Sequence, residues 1–137
     1  MMTLAASLLV TALLAAPLAA PALAGHHAFA AEFDANRPVK LQGTVTKVEW
    51  INPHAWIHIE VKGDDGKAVV WMIETAAPNS MLRRGFGRDS LPVGTEILIE
   101  GFRARDGANR ANGSSVTYKD GRKLFIGSQG TGAPVNQ

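Results

Sequence analysis

Four histidines are the residues of this sequence best suited to metal binding, and they fall into two pairs. His26 and His27 follow Gly25 near the start of the chain, whereas His54 and His58 lie four residues apart in a segment rich in aromatic residues. Imidazole nitrogen is a good ligand for copper, nickel and zinc. The chain contains no cysteine, which excludes thiolate ligands, thiolate nucleophiles and disulfides.

The first pair becomes a chelating group if proteolysis leaves a free amine beside it. A chain that starts at Gly25 can hold Cu(II) or Ni(II) in a square plane through its amine, two deprotonated amides and the His27 imidazole. A chain that starts at His26 can hold copper through its amine and its own ring nitrogen together with a second histidine, as in a histidine brace. The alternative is a terminal segment whose histidines bind nothing.

The second pair shares one face of a predicted strand, with Trp56 between the two histidines. A strand advances about 3.3 Å per residue, so the α-carbons of His54 and His58 should lie roughly 13 Å apart, too far for one metal ion. We therefore expect His54 alone to join His26 or His27 at a metal site. For His58 we favour a rim position with a hydrogen bond to a neighbour.

A second kind of binding surface is predicted around the tryptophans. Trp50, Trp56 and Trp71 could form an aromatic wall for a small organic ligand. Four polar residues could contact an anionic or hydroxylated ligand there: Asn52, Glu74, Arg83 and Arg84. The competing interpretation makes Trp71 a core residue and the two arginines a solvated helix face.

Motifs and charge favour binding over catalysis. The sequence has no G-x-S-x-G, no H-E-x-x-H, no Walker loop and no dinucleotide-binding fingerprint. A net charge of +2 is too small to predict binding to nucleic acid or to a membrane. We expect a non-enzymatic binding module for a transition metal, copper first. The alternatives are a domain for a small organic ligand or a periplasmic protein partner, or a cryptic enzyme.

The first 24 residues have the pattern of a secretory signal peptide. They carry no charged side chain, and an apolar stretch over 4–16 is followed by an Ala-Leu-Ala triplet that ends at Ala24. The apolar stretch is short and is followed by Pro17, which argues against a membrane span. We predict cleavage after Ala24, export to the periplasm and no span in the mature protein.

The strand pattern of the remaining chain begins with a bend. Alternation predicts a strand from Val39, and its apolar phase slips by one residue near Thr46 and Lys47, which indicates a bulge. Upstream of it, an irregular arm is expected to pin Phe29 and Phe33 onto the domain. Pro53 ends the first strand, because proline has no amide to donate.

Turn signals separate the elements that follow. A second strand is joined by a Gly-Asp-Asp-Gly turn at 63–66 to a third strand that ends at Glu74. Pro78 and Gly85 bound a short helix, and a fourth strand covers 96–102. A polar loop over 106–113, a strand over 115–118, a turn over 119–122 and a strand over 123–126 complete the pattern.

This order predicts an all-β fold: a small OB-like barrel of five to six strands, with one short helix between strands 3 and 4. An open β-sandwich is the alternative. The predicted boundaries are a signal peptide over 1–24, an irregular arm over 25–38, the barrel over 39–127 and a disordered tail over 128–137.

Several short motifs together resemble a family of small exported bacterial proteins of unknown function. The most specific are His-His-x-Phe at 26–29 and Asn-Pro-His-x-Trp at 52–56. Others are Glu-Phe-Asp at 32–34, the strand over 43–50, Leu-Arg-Arg-Gly at 82–85 and Asp-Gly-Arg-Lys at 120–123. The resemblance covers almost the whole mature chain. It implies a periplasmic OB-like domain and no particular reaction.

Overall fold

The computed structural model describes residues 29–129 and 132–134. Its strands are β1 (Phe33–Glu49), β2 (Trp56–Lys62), β3 (Ala68–Glu74), β4 (Glu96–Ala104), β5 (Arg110–Tyr118) and β6 (Lys123–Phe125). One helix, α1 (Pro78–Arg83), connects β3 to β4, and residues 29–32 are also helical. The predicted signal peptide, His26 and His27 lie outside the described residues, as does part of the predicted tail.

Five of the six strands close into a ring. The sheet order is β3-β2-β1-β4-β5-β6, with antiparallel neighbours. A short parallel pairing of β3 with β5, in which Glu74 is opposite Asn112, joins the two sides. The ring is therefore β1-β2-β3-β5-β4, and β6 is added to β5. The predicted all-β class, with five to six strands and a helix between the third and fourth, is confirmed.

The bend in β1 allows one strand to serve both sides of the ring. Its first part pairs with β4 and its last part with β2, and the β2 register shifts between Val45 and Lys47. This is the bulge that the phase slip predicts. Gly43 permits a close approach beside it, since a Cβ there would lie 2.7 Å from the carbonyl oxygen of Glu60.

The predicted turn and helix signals are also correct. The Gly63 amide donates to the Lys67 carbonyl at 2.8 Å, which closes the β2–β3 hairpin. Proline occupies the first turn of α1. Gly85 follows α1 with a φ of 81°, a left-handed conformation that glycine adopts without strain.

The main core fills the ring, and packing alone holds it together. Its largest buried members are Val45, Ile57, Ile59, Trp71, Ile73, Met81, Phe86, Leu91, Ile97, Ile99, Val116 and Ile126. Each such side chain contributes about 1.5–3 kcal/mol by leaving water. Trp71 is 8% exposed, which confirms its assignment to the core.

A second, smaller cluster anchors the start of the described chain. The Phe29 ring stacks on Phe33 at 5.8 Å and meets the ring of Phe102 edge-on at 5.7 Å. All three are buried, together with Ala104. The Arg105 Nε donates to the Ala30 carbonyl oxygen at 2.6 Å. Both phenylalanines are therefore pinned onto the domain, as expected.

Two predicted boundaries are wrong. The segment from Phe33 to Pro38 is part of β1 and not an irregular arm, although only its two end residues pair with β4 and the register shifts between them. β5 begins at Arg110, inside the predicted polar loop. Asn112 and Gly113 are buried there, and a Cβ on Gly113 would lie 2.7 Å from side-chain carbons of both Ile73 and Ile126. Their polarity and small size were misread as loop composition.

Candidate functional site

Backbone hydrogen bonds fix the position of His54 at one end of the ring. The next residue, Ala55, donates its amide to the Ala76 carbonyl at 3.2 Å and accepts from the Thr75 amide at 2.9 Å. The buried Thr75 hydroxyl donates to the same Ala55 carbonyl at 3.0 Å. The chain just before β2 is therefore tied to the chain just after β3, and His54 is held at that junction.

A carbonyl oxygen sets the tautomer of His54. Its Nδ1 lies 2.9 Å from the Thr75 carbonyl oxygen, which can only accept, so Nδ1 carries the proton. The Ser128 hydroxyl is farther from the same nitrogen, at 3.5 Å. In the neutral ring the lone pair is therefore on Nε2. A backbone carbonyl on one ring nitrogen is the usual support for a histidine whose other nitrogen binds a metal.

Glu74 faces this lone pair. Its Oε1 lies 3.9 Å from Nε2 of His54, and the two side chains are 12% and 29% exposed, respectively. Oε1 also accepts from Nδ2 of Asn112 at 3.3 Å. Burial raises the pKa of the Glu74 carboxyl above its ordinary value, and the charge of Glu32 adds to this, whereas His54, Asn112 and Arg110 act in the opposite direction. A cation beside Glu74 would relieve the cost of its buried charge.

The anchored segment at the start of the described chain, residues 29–32, comes near Glu74 at its last residue, Glu32. Arg110 lies over the ring of Phe33 at 5.6 Å, and its Nη1 is 3.5 Å from a carboxylate oxygen of Glu32. Both Glu32 and Arg110 are close enough to Glu74 to act on its pKa. The segment that follows His27 in the chain is therefore held on the side of the ring where Glu74 lies.

A pocket of about 400 Å³ opens beside His54 and α1. Three of the predicted site residues line it, His54, Arg83 and Arg84, and none of the lining residues is acidic. The full lining is Pro53, His54, Ala76, Ala77, Ser80, Arg83, Arg84, Ser128 and Gln129.

The two arginines of the pocket differ in how they are held. Arg84 is half-buried, and its Nη1 donates to the Gly127 carbonyl at 2.7 Å and to the Phe125 carbonyl at 3.4 Å. Arg83 is exposed and donates from Nη2 to the Ser80 hydroxyl at 3.1 Å. Arg84 thus also has a structural role, whereas Arg83 contacts its own helix.

The three tryptophans do not form one wall. Trp71 points into the core, and Trp56 lies on the other face of the sheet, since it alternates with the buried Ile57 of β2. Trp50 packs against Phe86, with ring centroids 6.1 Å apart. The three rings therefore cannot form a single binding surface. Asn52 is exposed in the loop between β1 and β2.

His58 is a hydrogen-bonded rim residue, as favoured. Its Nε2 lies 2.8 Å from Oε2 of Glu49, and the Lys47 amine is 2.6 Å from the other carboxylate oxygen. Hydrogen bonds from Lys47 and then from His58 lower the pKa of Glu49. The bond to Glu49 therefore occupies Nε2 of His58.

Sequence reasoning missed two residues of the site, Thr75 and Asn112. Each acts on a predicted residue by a hydrogen bond across the end of the ring, and no motif marks either one. Within residues 29–129 and 132–134, no group of three or more histidine and acidic side chains is placed to hold a metal ion. The pair of His54 and Glu74 would need ligands from elsewhere.

Sequence comparisons identify a family for this chain. Comparison with curated proteins and with solved structures gave no significant match. The described residues contain no helix with the length and apolar character needed to cross a membrane. A family model described as a family of unknown function, DUF6152, matches residues 13–114, and the protein therefore belongs to that family.

Proposed function

We propose that the protein is an exported, non-enzymatic module that binds a transition metal ion, copper first, through His54 and the histidines at the start of the mature chain, His26 and His27. The observation that supports this most strongly is the arrangement around His54. A backbone carbonyl leaves the lone pair on Nε2, and a carboxylate of raised pKa lies 3.9 Å from that nitrogen.

Chain length supports a shared site. His27 is two residues before the buried Phe29, so the two α-carbons can be at most about 7 Å apart. The anchored segment lies on the Glu74 side of the ring, and we propose that the terminal histidines reach His54 from there. Cu(II) favours a planar set of nitrogen and oxygen ligands, and His54, Glu74 and a terminal histidine supply both types.

The two possible starts of the mature chain require different things of His54. A chain that begins at Gly25, after the predicted cleavage at Ala24, fills the copper plane with four of its own nitrogens. His54 could then add only an axial contact. A chain that begins at His26 supplies an amine and a ring nitrogen, and His54 and Glu74 can complete the plane.

The test uses two proteins, one that begins at Gly25 and one that begins at His26, each titrated with Cu(II) by calorimetry. In the protein that begins at His26, we expect His54→Ala to weaken copper binding by about tenfold or more, as loss of one ligand does. His58→Ala is the matched control, because it removes an imidazole that is already bonded to Glu49.

Two results would overturn the proposal. One is copper affinity in His54→Ala equal to that of the unsubstituted protein, with both starting residues. The other is a native N-terminus, determined by mass spectrometry of the exported protein, that retains the leader or begins after Phe29.

A further inference from the structure

We propose that the pocket between α1 and the segment after β6 binds a small organic anion through Arg83 and Arg84. We call it the arginine pocket; its lining residues are those given above, from Pro53 to Gln129. This inference does not depend on the proposed metal site, because neither arginine is a proposed metal ligand. His54 lines the pocket, but the anion is assigned to the two arginines.

The two arginines give the pocket a positive charge that favours an anionic ligand. Arg83 and Arg84 are adjacent in the chain, and neither guanidinium lies within 4.0 Å of a carboxylate among the described residues. Arg110 and Arg122, by contrast, each pair with an acidic side chain. Two neighbouring cations that line a concave surface attract a negatively charged ligand.

The donors of Arg84 are arranged before a ligand arrives. Its two hydrogen bonds to the carbonyls of Phe125 and Gly127 hold the guanidinium in place through Nη1. In the described part of the chain, its Nε and Nη2 have no acceptor. A fixed planar fork with unused donors matches the two oxygens of a carboxylate or phosphate, and little side-chain freedom is lost on binding.

A backbone hydrogen bond holds one wall of the pocket in place. The Ala76 amide donates to the Ile126 carbonyl at 2.7 Å, which joins the start of the pocket wall to the segment after β6. The hydroxyl of Ser80, which accepts from Arg83, adds a polar group that can donate to a ligand.

The apolar lining and the volume define the rest of the ligand. Pro53, Ala76 and Ala77 contribute apolar surface, and about 400 Å³ is far more than an inorganic phosphate fills. This volume lies within the range of pockets for small organic molecules. The ligand class is therefore a compact apolar body that carries one oxyanion, either a carboxylate or a phosphate ester.

The experiment is an NMR titration of ¹⁵N-labelled, metal-free protein that begins at Gly25. Benzoate and phenyl phosphate are the anionic probes, and benzamide is the uncharged match for benzoate. We expect saturable shifts of the Ala77, Ser80, Arg84 and Ser128 amides with at least one anion, and binding of benzamide about tenfold weaker than that of benzoate. The two anionic probes show which oxyanion the pocket prefers.

Two arginine variants separate the pocket from general charge attraction. Arg83→Gln removes an exposed cation from the lining, and Arg88→Gln removes one that lies over Trp50, at 5.8 Å, outside the pocket. Arg83→Gln should weaken binding of the preferred anion by about fivefold or more, whereas Arg88→Gln should leave it within about twofold. Equal melting temperatures of the two variants would show that neither change acts through folding.

Either of two results would overturn the inference. The first is the absence of saturable shifts with both anions up to about 10 mM, a concentration at which even very weak specific sites fill. The second is equal weakening by Arg83→Gln and Arg88→Gln. Replacement of His26 and His27 by alanine should abolish the proposed copper site and leave anion binding unchanged, so the two proposals can fail separately.

Discussion

Two glutamates of this protein each lie beside a histidine, and their surroundings shift their pKa values in opposite directions. Glu74 is mostly buried, and burial raises its pKa, whereas hydrogen bonds from Lys47 and His58 lower the pKa of the half-buried Glu49. The same residue type therefore has opposite effects on stability at neutral pH. Glu74 carries a charge that the folded protein accommodates poorly, as is common for ligands of a cation.

The first prediction concerns Glu74→Gln in metal-free protein. Because the folded pKa of Glu74 lies above the unfolded value, the folded state binds more protons between the two, and stability falls as pH rises from 4.5 through this window. Glutamine cannot ionise and can still accept from Asn112. The variant should gain about 1 kcal/mol at pH 7, or about 4 °C in Tm, and nothing in strong acid. Thermal unfolding followed by circular dichroism at several pH values measures this.

Glu49→Gln is the matched control, with the opposite sign. The lowered pKa of Glu49 stabilises the fold above 4.5, and this contribution is lost as pH falls through the folded value. The variant should therefore melt below the unsubstituted protein at pH 7 and together with it in strong acid. If Glu74→Gln were also destabilising at pH 7, the buried charge would not have the cost we assign to it.

At the scale of elements, side-chain alternation predicted most of the sheet and failed where backbone contact decides. The bulge in β1 was predicted because both of its apolar phases lie against the core. The start of β5 was missed because Gly113 has no room for a Cβ beside Ile73 and Ile126, and because Asn112 bonds to Glu74 across the ring. A Cβ at Gly101 of β4 would lie 2.2 Å from the Asn112 carbonyl oxygen of β5, and no sequence pattern predicts so close a contact.

The second prediction tests this contact with Gly101→Ala. The added methyl group meets backbone, which cannot move without opening the β4–β5 pairing, so we expect a loss of about 3 kcal/mol in unfolding free energy. Gly87→Ala is the control, because its nearest neighbour is a Leu82 methyl at an ordinary 3.8 Å. Urea denaturation compares the two. Equal stabilities would show that β4 and β5 are not so tightly joined.

The third prediction concerns the anchor of the N-terminal segment. Phe29→Ala removes a ring that is 5% exposed and contacts Phe33 and Phe102, so it should cost about 3 kcal/mol. In protein that begins at His26, it should also weaken copper binding about fivefold, because the terminal histidines would no longer be held near His54. Phe125→Ala, at a ring that is 60% exposed, should change neither. Amide exchange measures the loss of stability, and calorimetry measures copper binding. Unchanged copper binding in Phe29→Ala would show that the Phe29 anchor does not position the terminal histidines.

At the scale of the whole molecule, the candidate metal site lies where the ring closes. Glu74 is the last residue of β3 and is opposite Asn112 in the parallel pairing that joins β3 to β5. His54 is tied to the same place through Thr75. A metal bound here links the loop before β2 to the end of β3, and binding to the folded state alone should stabilise the whole ring.

The fourth prediction follows from that position. Copper at about 100 times its dissociation constant should add about 2.7 kcal/mol to the unfolding free energy, an increase that melting experiments resolve easily. In protein that begins at His26, a tenfold loss of affinity in His54→Ala should remove about half of this increase at the same copper concentration, whereas His58→Ala should keep it. An equal increase in all three proteins would place the metal elsewhere.

The sequence does not predict which of the candidate site residues lie together. The sequence analysis assigns His54 to a candidate metal site, and Glu74, Arg83 and Arg84 to a separate candidate ligand site. Glu74 joins His54 because of the β2–β3 register, and the arginines join the pocket because of how α1 packs. The strand register and the packing of α1 are features of the tertiary structure, which side-chain alternation and turn signals do not predict.

The central claim is that His54 and the terminal histidines bind the same copper ion. The most direct measurement is a count of the imidazoles coupled to Cu(II), by pulsed electron paramagnetic resonance, in protein that begins at His26. We predict one imidazole fewer in His54→Ala than in the unsubstituted protein, and no change in His58→Ala. The same count in all three proteins would contradict the claim.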